Sequence, residues 1–313
     1  MSILRIPSEM SVLYLAGGQL RCYSIEMRSL AGKQWTAVGL LVLLVCATAN
    51  AASVWKVTGP NGETLYLGGS VHALRSTDYP LPPAFNRAFD ASTHLVFEVD
   101  DKGMSGTTKS LLKAGEYPKG DSLKNHVDPR TYNYVKRVFG LMQVPEPKWA
   151  RYRPWFLVLL LQSSGMRDFS GQLGVDQFLS NRAKANKKAV SGLETGAEHA
   201  AVYSGLSDRQ GEALLLHMFI PQERERGDSP SWMPAWRRGD ADAITASMHA
   251  AYRDFPAFAV RILDERNRRW MPKVEGYLRS GQTHYVVVGA AHLGGPNGLL
   301  AMLRAKGYQT AQL

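Results

Sequence analysis

Short segments of alternating apolar and polar residues recur from residue 53 to the C-terminus, and stretches with helical periodicity separate them. The apolar segments 54–57 and 64–67 flank the turn-forming residues 59–62, a pattern that predicts a β-hairpin. The same criteria predict further strands at 94–100, 189–194, 283–288 and 308–312. Because helical segments lie between these strands, we expect an α/β fold, with a mixed sheet flanked by helices.

Helical periodicity predicts several helices, the longest of them at about 256–279. The stretch 102–171 is turn-rich and then helical, so we interpret it as a mainly helical insertion in one domain that covers 52–313. Two prolines and a glycine punctuate the segment 227–238, which predicts a loop there. Other helices are predicted at 81–89, 175–185 and 297–306.

The N-terminal segment has the order of a secretory signal peptide, with basic, then apolar, then small residues. Basic residues follow Met27, an apolar run covers 37–47, and an Ala-Asn-Ala sequence ends at Ala51. We therefore expect a signal peptide at 27–51 and attribute residues 1–26 to a start-site artefact. The run is shorter than the about 20 apolar residues that cross a bilayer. A retained N-terminal anchor is the competing interpretation.

Export would place the protein in the periplasm or outside the cell, with no stable membrane span after signal cleavage. The two cysteines, Cys22 and Cys46, both lie in the segment that we expect to be removed. The remaining domain would then contain neither a disulfide nor a thiol nucleophile. It would depend on an ordinary apolar core, for which its length is sufficient.

The net charge of the chain does not indicate a particular class of partner. The formal net charge is +10, and removal of residues 1–51 takes away four basic and two acidic side chains, which leaves +8. The cations are spread among acidic residues, whereas a nucleic-acid groove takes a long basic face with interleaved aromatic residues. We therefore expect no nucleic-acid partner. The expected partner is a peptide or another small substrate, and the sequence does not indicate an oligomeric state.

Two Gly-x-x-His motifs follow predicted strands near opposite ends of the domain. One runs from Gly69 to His72 and the other from Gly289 to His292. Glycine allows a sharp turn and a close approach of another group to the backbone. Each imidazole should therefore lie just past the carboxyl end of a strand, where α/β sheets bind their ligands.

Two glutamates occupy comparable positions. Glu98 belongs to an apolar predicted strand, and Glu194 ends another. A buried carboxylate is costly unless it is paired or ligated, so we expect Glu98 to meet a cation at the carboxyl edge of the sheet. For Glu194 two interpretations are open: the same kind of pairing, or capping of the next helix.

The long C-terminal helix places one arginine on its apolar stripe. At about 100° per residue, Arg266 lies between Ile262 and Trp270. A guanidinium directed toward a core needs an acidic partner or an anionic ligand. Arg266 would either form a structural bridge with Glu98 or Glu194, or orient a catalytic carboxylate or a developing oxyanion.

His72, Glu98 and His292 would supply two imidazoles and one carboxylate, a ligand set that leaves metal positions open for water and substrate. Such a site predicts metal-assisted hydrolysis, with Mn, Co and Zn equally compatible. The sequence contains neither the His-Glu-x-x-His motif nor the Gly-x-Ser-x-Gly motif. We expect the other histidines to be surface or packing residues: His94, His126, His199, His217, His249 and His284.

Six short motifs, in this order, resemble those of the TraB/GumN family, and the likeness spans about 53–313. The motifs lie at 67–72, 79–84, 97–100, 192–195, 263–267 and 288–294. The family includes the Tiki proteases, which are metal-dependent and cut peptides. It is distantly similar to erythromycin-esterase-like and haem-uptake-related proteins.

The resemblance implies an active site formed by the paired Gly-x-x-His motifs and a strand-borne glutamate, which here are His72, His292 and Glu98. The arginine of the family's Glu-Arg-Asn motif carries over to Arg266. Residues of the same motifs would support the site: Gly69, Glu194, Glu265, Asn267 and Gly289. We therefore expect an exported metal-dependent hydrolase, with a peptidase as first choice. The alternative is a non-catalytic periplasmic binding protein for a peptide, a saccharide or a haem-like ligand.

Overall fold

A computed structural model describes residues 9–16, 19–26, 52–164, 168–219 and 232–313. The chain divides into two compact units, Met1–Ala49 and Asn50–Leu313. In the first unit, strands β1 (Glu9–Ala16) and β2 (Gln19–Glu26) pair as an antiparallel hairpin. The predicted signal peptide, 27–51, lies outside the described residues. Within the described ranges, no helix is both long and apolar enough to cross a membrane.

The second unit is built on a six-stranded mixed sheet, so the predicted α/β fold is confirmed. The strands are β3 (Val54–Thr58), β4 (Thr64–Ser70), β5 (His94–Phe97), β6 (Ala189–Gly192), β7 (His284–Gly289) and β8 (Gln309–Gln312). Their order in the sheet is β6-β5-β7-β4-β3-β8. Strands β6, β5, β7 and β4 are parallel, whereas β3 runs antiparallel to both β4 and β8. The four parallel strands therefore end at one edge, called here the carboxyl edge.

Helices cover both faces of the sheet. They are α1 (Pro83–Ala91), α2 (Asp101–Gly115), α3 (Pro129–Leu141), α4 (Pro154–Ser164), α5 (Val175–Ala185), α6 (Gly196–Ser204), α7 (Asp208–His217), α8 (Trp232–Arg238), α9 (Ala241–Ala251), α10 (Pro256–Ala259), α11 (Glu265–Leu278) and α12 (Leu299–Ala305). Alternation along β5 sends Leu95 and Phe97 into one apolar core and Val96 into the other. The sheet is therefore buried on both sides, as parallel strands usually are.

The stretch predicted as a helical insertion contains α2, α3 and α4. It has an apolar cluster of its own, which includes Trp149 and Phe139 and also takes in Leu214 and Leu215 of α7. Helix α2 packs against α6, and α4 packs against α7. The insertion thereby packs against helices that follow the sheet strands, and α2 begins three residues after Glu98.

The structure corrects two details of the predicted elements. Residues 232–238 form helix α8 and not a loop, because Pro234 lies in the first turn, where a missing backbone N–H costs no helical hydrogen bond. The long C-terminal helix is interrupted: α10 leads into a π-helical segment, Val260–Asp264, before α11 begins. Short π-helical segments occur frequently at functional sites, and this one ends two residues before Arg266.

Candidate functional site

Each of the four parallel strands delivers a polar side chain to the carboxyl edge. Strand β4 leads to His72, β5 to Glu98, β6 to Glu194, and β7 to Gly289 and His292. Parallel strands present their ends on one side of the sheet, so residues far apart in sequence become neighbours. The two Gly-x-x-His motifs lie on the adjacent strands β4 and β7, which pair in parallel.

Arg266 is the centre of this group and is only 6% exposed. Its Nε and Nη2 atoms donate to Glu194 Oε1 at 3.1 and 2.6 Å, and its Nη2 also donates to Glu98 Oε2. The guanidinium lies over the ring of Trp270 at 4.5 Å, and the indole N–H donates to Glu194 Oε2 at 3.1 Å. Both predicted partners of Arg266 are therefore correct, and one guanidinium binds two buried carboxylates.

These contacts set the protonation of the buried charges. Burial alone would raise the pKa of Glu98, but Arg266 and the neighbouring histidines hold it well below its usual range. Burial opposes ionisation of Glu194 as well, and hydrogen bonds from His199 and Arg266 lower its pKa. Burial would lower the pKa of Arg266, but its two glutamates raise it above its ordinary value. All three groups are therefore ionised at neutral pH.

His292 lies beneath this network as a neutral imidazole. The side-chain amide of Asn267 donates to the carbonyls of His292 and Asn297 at 3.1 and 2.9 Å, so its Oδ1 is left to accept from His292 Nδ1 at 2.8 Å. This assigns the proton to Nδ1 and leaves Nε2 to accept from Arg266 Nη1 at 3.1 Å. Burial lowers the pKa of His292 to about 3.

His72 has the opposite environment. Its side chain is 76% exposed, and its Nδ1 lies 3.1 Å from Asp176 Oδ2. The charge of Asp176 raises the pKa of His72 to about 9; because water screens so exposed a pair, its contribution to stability is at most about 1 kcal/mol. Asp176 lies in the first turn of α5, whose Val175 N–H donates to the Val71 carbonyl at 3.0 Å. This helix start therefore positions the histidine loop.

Gly289 marks the point on which the three predicted ligands converge. Its N–H donates to Glu98 Oε1 at 2.7 Å. A Cβ at this position would lie 3.2 Å from that oxygen, 3.5 Å from Cδ2 of His292 and 4.0 Å from Nε2 of His72. Gly69, the glycine of the other motif, takes part through its backbone: its carbonyl accepts a hydrogen bond from the indole N–H of Trp236 at 2.8 Å. The glycine at 289 keeps open the space between the imidazoles and the carboxylate.

A cleft of about 320 Å³ opens over this edge. Polar side chains and the apolar side chains Phe97, Val99 and Met104 share its walls. Its polar lining consists of His72, Glu98, Asp176, Gln177, Ser180 and His199. The cleft-lining residues do not include Arg266, Glu194 or His292, which form a buried layer below.

The sequence interpretation missed two members of the site, Asp176 and His199. His199 was expected to be a surface or packing residue, but its Nδ1 lies 2.7 Å from Glu194 Oε1 and 3.2 Å from Arg266 Nη2. The usable signal is that α6 begins directly after Glu194, capped by Thr195, so its first turns start at the carboxyl edge. Asp176 has the same signal, because it opens a helix that returns to this edge.

Not every predicted supporting residue belongs to the site. Asn267 and Glu194 do, but Glu265 is exposed, as are Arg268 and Arg269. The rotation of about 100° per residue explains the difference, because it buries Arg266 and Asn267 while Glu265 faces outward. The prediction that Arg266 lies on the buried stripe of α11 is therefore confirmed.

The donor set suits a divalent cation. Glu98, Glu194 and His199 each offer a ligand atom, and these atoms lie within 4.8 Å of one another. Among the described residues of the site, Glu98, Glu194 and Asp176 supply three negative charges, against the positive charge of Arg266 and that of the His72 ring, which would lose its second proton on binding a cation. Carboxylate oxygens and neutral imidazoles bind Mn, Co and Zn. The residues therefore fit a bound dication, which would balance the remaining charge.

Comparison with known proteins agrees with these motifs. The sequence profile described as the TraB/PrgY/gumN family matches residues 53–312. The chain is 23% identical over 297 residues to Metalloprotease TIKI1 of Danio rerio, an alignment that covers 78% of this chain and 60% of that protein. It is 22% identical over 313 residues to Metalloprotease TIKI2 of the same fish, which covers 82% of this chain and 60% of that protein.

Metalloprotease TIKI1 of Homo sapiens is 22% identical over 300 residues, covering 78% of this chain and 59% of the human protein. The chain thus spans about 60% of the length of the curated relatives it matches. No solved structure matches it. The profile match extends over nearly the whole second unit and includes every residue of the site described above. The chain belongs to the TraB/PrgY/gumN family.

Proposed function

We propose that this protein is a metal-dependent hydrolase that cleaves peptides in the cleft at the carboxyl edge of its sheet. The observation that carries the proposal is the cleft floor: His72, His199 and Glu98 face it, and below it Glu98 and Glu194 share the single positive charge of Arg266, which leaves one negative charge unbalanced. The names of the Tiki relatives support the same reaction class.

A divalent ion bound here would lower the pKa of a water molecule and polarise the scissile carbonyl. The chain's own residues would do the rest. His72 and Glu98 would hold the ion from the cleft, and Asp176 fixes the imidazole ring by accepting from its Nδ1. In the metal-free protein His72 is protonated at Nε2, and this proton must leave before that nitrogen can coordinate.

In this proposal Arg266 acts from the buried layer below the cleft. Because it does not line the cleft, its role is to hold Glu98 and Glu194 and not to contact the substrate. His292, the third ligand predicted from the sequence, would coordinate through Nε2 once Arg266 releases that nitrogen. The walls formed by Phe97, Val99 and Met104 would accept an apolar side chain of a peptide.

The proposal includes export to the periplasm or the outside of the cell, supported by the basic, apolar and small-residue order of 27–51. N-terminal sequencing of the extracytoplasmic fraction should find a chain that begins near Ala52. Recovery of the intact N-terminus from the cytoplasm would contradict export, and it would leave the proposal for the site unaffected.

Metal content and cleavage of a peptide library, each with and without chelator, test the activity. We expect about one equivalent of Mn, Co or Zn and chelator-sensitive cleavage. Glu98→Gln should lower kcat at least about 100-fold, since it removes a charge needed for the metal-bound state. Glu265→Gln is the matched control on an exposed glutamate.

One observation favours the non-catalytic alternative, a binding protein for a peptide, a saccharide or a haem-like ligand. Arg266 already pairs with both buried glutamates, so the fold does not require a metal to satisfy them. A purified chain that holds no metal, cleaves nothing and still binds peptides with chelator present would favour this alternative.

A further inference from the structure

Helix α2, which begins three residues after Glu98, packs on its neighbour along one side only. On that side Thr107 Oγ1 donates to the Gly196 carbonyl at 3.1 Å, so α2 lies close against α6. A Cβ at Gly196 would lie 2.1 Å from the carbonyl oxygen of Gly103, which shows how closely the two backbones approach. This contact fixes the rotation of α2 about its axis and therefore determines which residues face solvent.

The solvent side of α2 has an apolar stripe that starts in the cleft. Met104, Thr108 and Leu112 lie along it, because residues four positions apart are neighbours on one helix face. Met104 and Leu112 are 46% and 48% exposed, and Met104 is also part of the cleft lining. From Met104 to Leu112 the helix rises by about 12 Å. An extended peptide covers that length with about four residues.

Three exposed lysines follow the same stripe. Lys109 and Lys113 are one turn apart, and Lys102 lies two turns before Lys109. Among the described side chains, no carboxylate pairs with any of these lysines. Glu116, the acidic residue that follows the helix, pairs instead with Arg151 at 3.1 Å. The stripe and the lysines are called here the α2 shelf: Lys102, Met104, Thr108, Lys109, Leu112 and Lys113.

The cleft itself has a different charge on the side of α5. That helix supplies Asp176, Gln177 and Ser180 to the lining. Among the described lining residues there is neither a lysine nor an arginine. A peptide in the cleft would therefore meet a carboxylate on the side of α5, and it would meet lysines where it continues over α2.

We propose that the α2 shelf binds the part of a peptide substrate that extends beyond the cleft. It selects peptides in which acidic residues alternate with apolar residues on one side of the scissile bond. The lysines attract the carboxylates, and Met104 and Leu112 bury the apolar side chains. The selection concerns one side of the bond because the shelf continues the cleft in one direction. This inference rests on the proposed peptide-cleaving function.

Binding of labelled synthetic peptides to the full chain, with chelator present, tests the shelf without cleavage. The peptides share a neutral centre and carry about four residues of alternating Leu and Glu, Leu and Gln, or Leu and Lys at one end. A second set carries the same flanks at the other end. For one end only, we expect the Glu flank to bind about 10-fold more tightly than the Lys flank at low salt. Added salt should reduce this ratio, because it screens exposed charges.

A double charge reversal identifies the residues responsible. Lys109→Glu combined with Lys113→Glu should reverse the order, so that the Lys flank binds more tightly than the Glu flank. A misfolded protein would not gain affinity for the Lys flank, so this result does not depend on a loss of binding. Arg268→Glu combined with Arg269→Glu is the matched reversal at two exposed positions of α11 and should leave the order unchanged.

An apolar pair of variants tests the stripe. Leu112→Gln should weaken binding of the Glu-flanked peptide about 3-fold or more, because less apolar surface is buried. Leu141→Gln is the control, at a side chain of α3 that is 82% exposed, and it should bind as the unmodified chain does. Thermal melts show that both variants fold. Equal affinities of the two variants would exclude Leu112 from the shelf.

The outcomes separate the shelf from the proposed hydrolase. Equal affinities for all flanks, or an order that the α11 control also reverses, would overturn selection by α2 and leave the hydrolase intact. A flank preference without chelator-sensitive cleavage would support the shelf and overturn the hydrolase. Binding to phosphatidylglycerol vesicles that the α2 double variant loses, with no preference among peptides, would assign the shelf to a lipid surface and overturn the proposal.

Discussion

At the amino edge of the sheet, the side where β5 and β7 begin, His94 and His284 are register partners on these two strands. Their rings stack at 4.9 Å, and Tyr277 stacks on His284 at 4.6 Å. The Nδ1 of His284 donates to the Gln282 carbonyl at 3.0 Å. Burial lowers the pKa of His284, so the ring is neutral.

At the carboxyl edge, the histidines that follow β4 and β7 are surrounded by charge instead. Arg266 binds two buried carboxylates there, and the exposed His72 pairs with Asp176. Both edges therefore bring histidines together, but among the described residues only the carboxyl edge adds carboxylates, a guanidinium and a cleft. A histidine pair by itself is thus a packing feature, and the surrounding charges make it a candidate site.

The largest effect on stability is expected when the buried charges around Arg266 are disturbed. Arg266→Ala would leave Glu98 and Glu194 buried without their cation, which typically costs about 3–5 kcal/mol of unfolding free energy. Arg266→Lys should recover part of this, because an ammonium cannot reproduce the bidentate guanidinium contacts. Urea unfolding at neutral pH measures both losses.

Arg268 and Arg269 are exposed on the same helix and provide the controls. Alanine at either position should change the unfolding free energy by no more than about 0.5 kcal/mol. Equal, small losses at all three arginines would mean that the two edges do not differ in buried charge.

The pH dependence of the unfolding free energy tests the burial of His292 at the carboxyl edge. Its pKa is about 3 in the folded protein and about 6.5 in the unfolded chain. As pH falls below 6.5 the unfolded chain binds a proton that the folded protein does not, so folded stability decreases, by up to about 1.4 kcal/mol per pH unit. His292→Asn should remove this contribution.

The measurement is urea unfolding of chelator-treated protein between pH 6.5 and 5, above the range in which glutamates of the unfolded chain titrate at about 4.3. His284 contributes a slope of the same sign, because burial lowers its pKa as well. An unchanged slope in His292→Asn would show that the ring is solvated or already protonated in the folded state.

A methyl group at Gly289 tests the space between the predicted ligands. Gly289→Ala would put Cβ 3.2 Å from Glu98 Oε1, a tight contact with a carboxylate that Arg266 holds in place. We expect Co²⁺ affinity to fall about 10-fold, the lower end of the effect of a disturbed ligand. Gly276→Ala is the control, because its Cβ would meet no atom within 4 Å. Equal affinities of the two variants would remove Gly289 from the site.

The smallest effect is expected at the amino edge. His284→Phe keeps the aromatic stack with Tyr277 and loses one hydrogen bond to a carbonyl, which costs about 1 kcal/mol or less. Co²⁺ affinity and peptide cleavage should stay as in the unmodified chain. A clear loss of either would mean that the amino edge takes part in function. Thermal melts measure the change in stability, and a Co²⁺ titration measures the change in metal affinity.

Local sequence patterns determined most of the fold. The hairpin of β3 and β4, the helix α5, and the strands that lead to Glu98 and Glu194 follow from alternation, turn residues and caps, all of which act between near neighbours. The same reasoning located Arg266 on the buried stripe of α11. It failed at 232–238, because Pro234 in a first turn has the same composition as a loop.

Tertiary structure alone decided which histidines belong together. The only sequence signal for His199 and Asp176 is a place in the first turns of a helix, which many surface residues share. They enter the site because α6 and α5 begin at the carboxyl edge. His292 fits the expected motif, yet Arg266 and Asn267 occupy both of its ring nitrogens. Sequence periodicity specifies the face on which a residue lies, whereas hydrogen-bond partners depend on contacts across 25 to 168 positions of the chain.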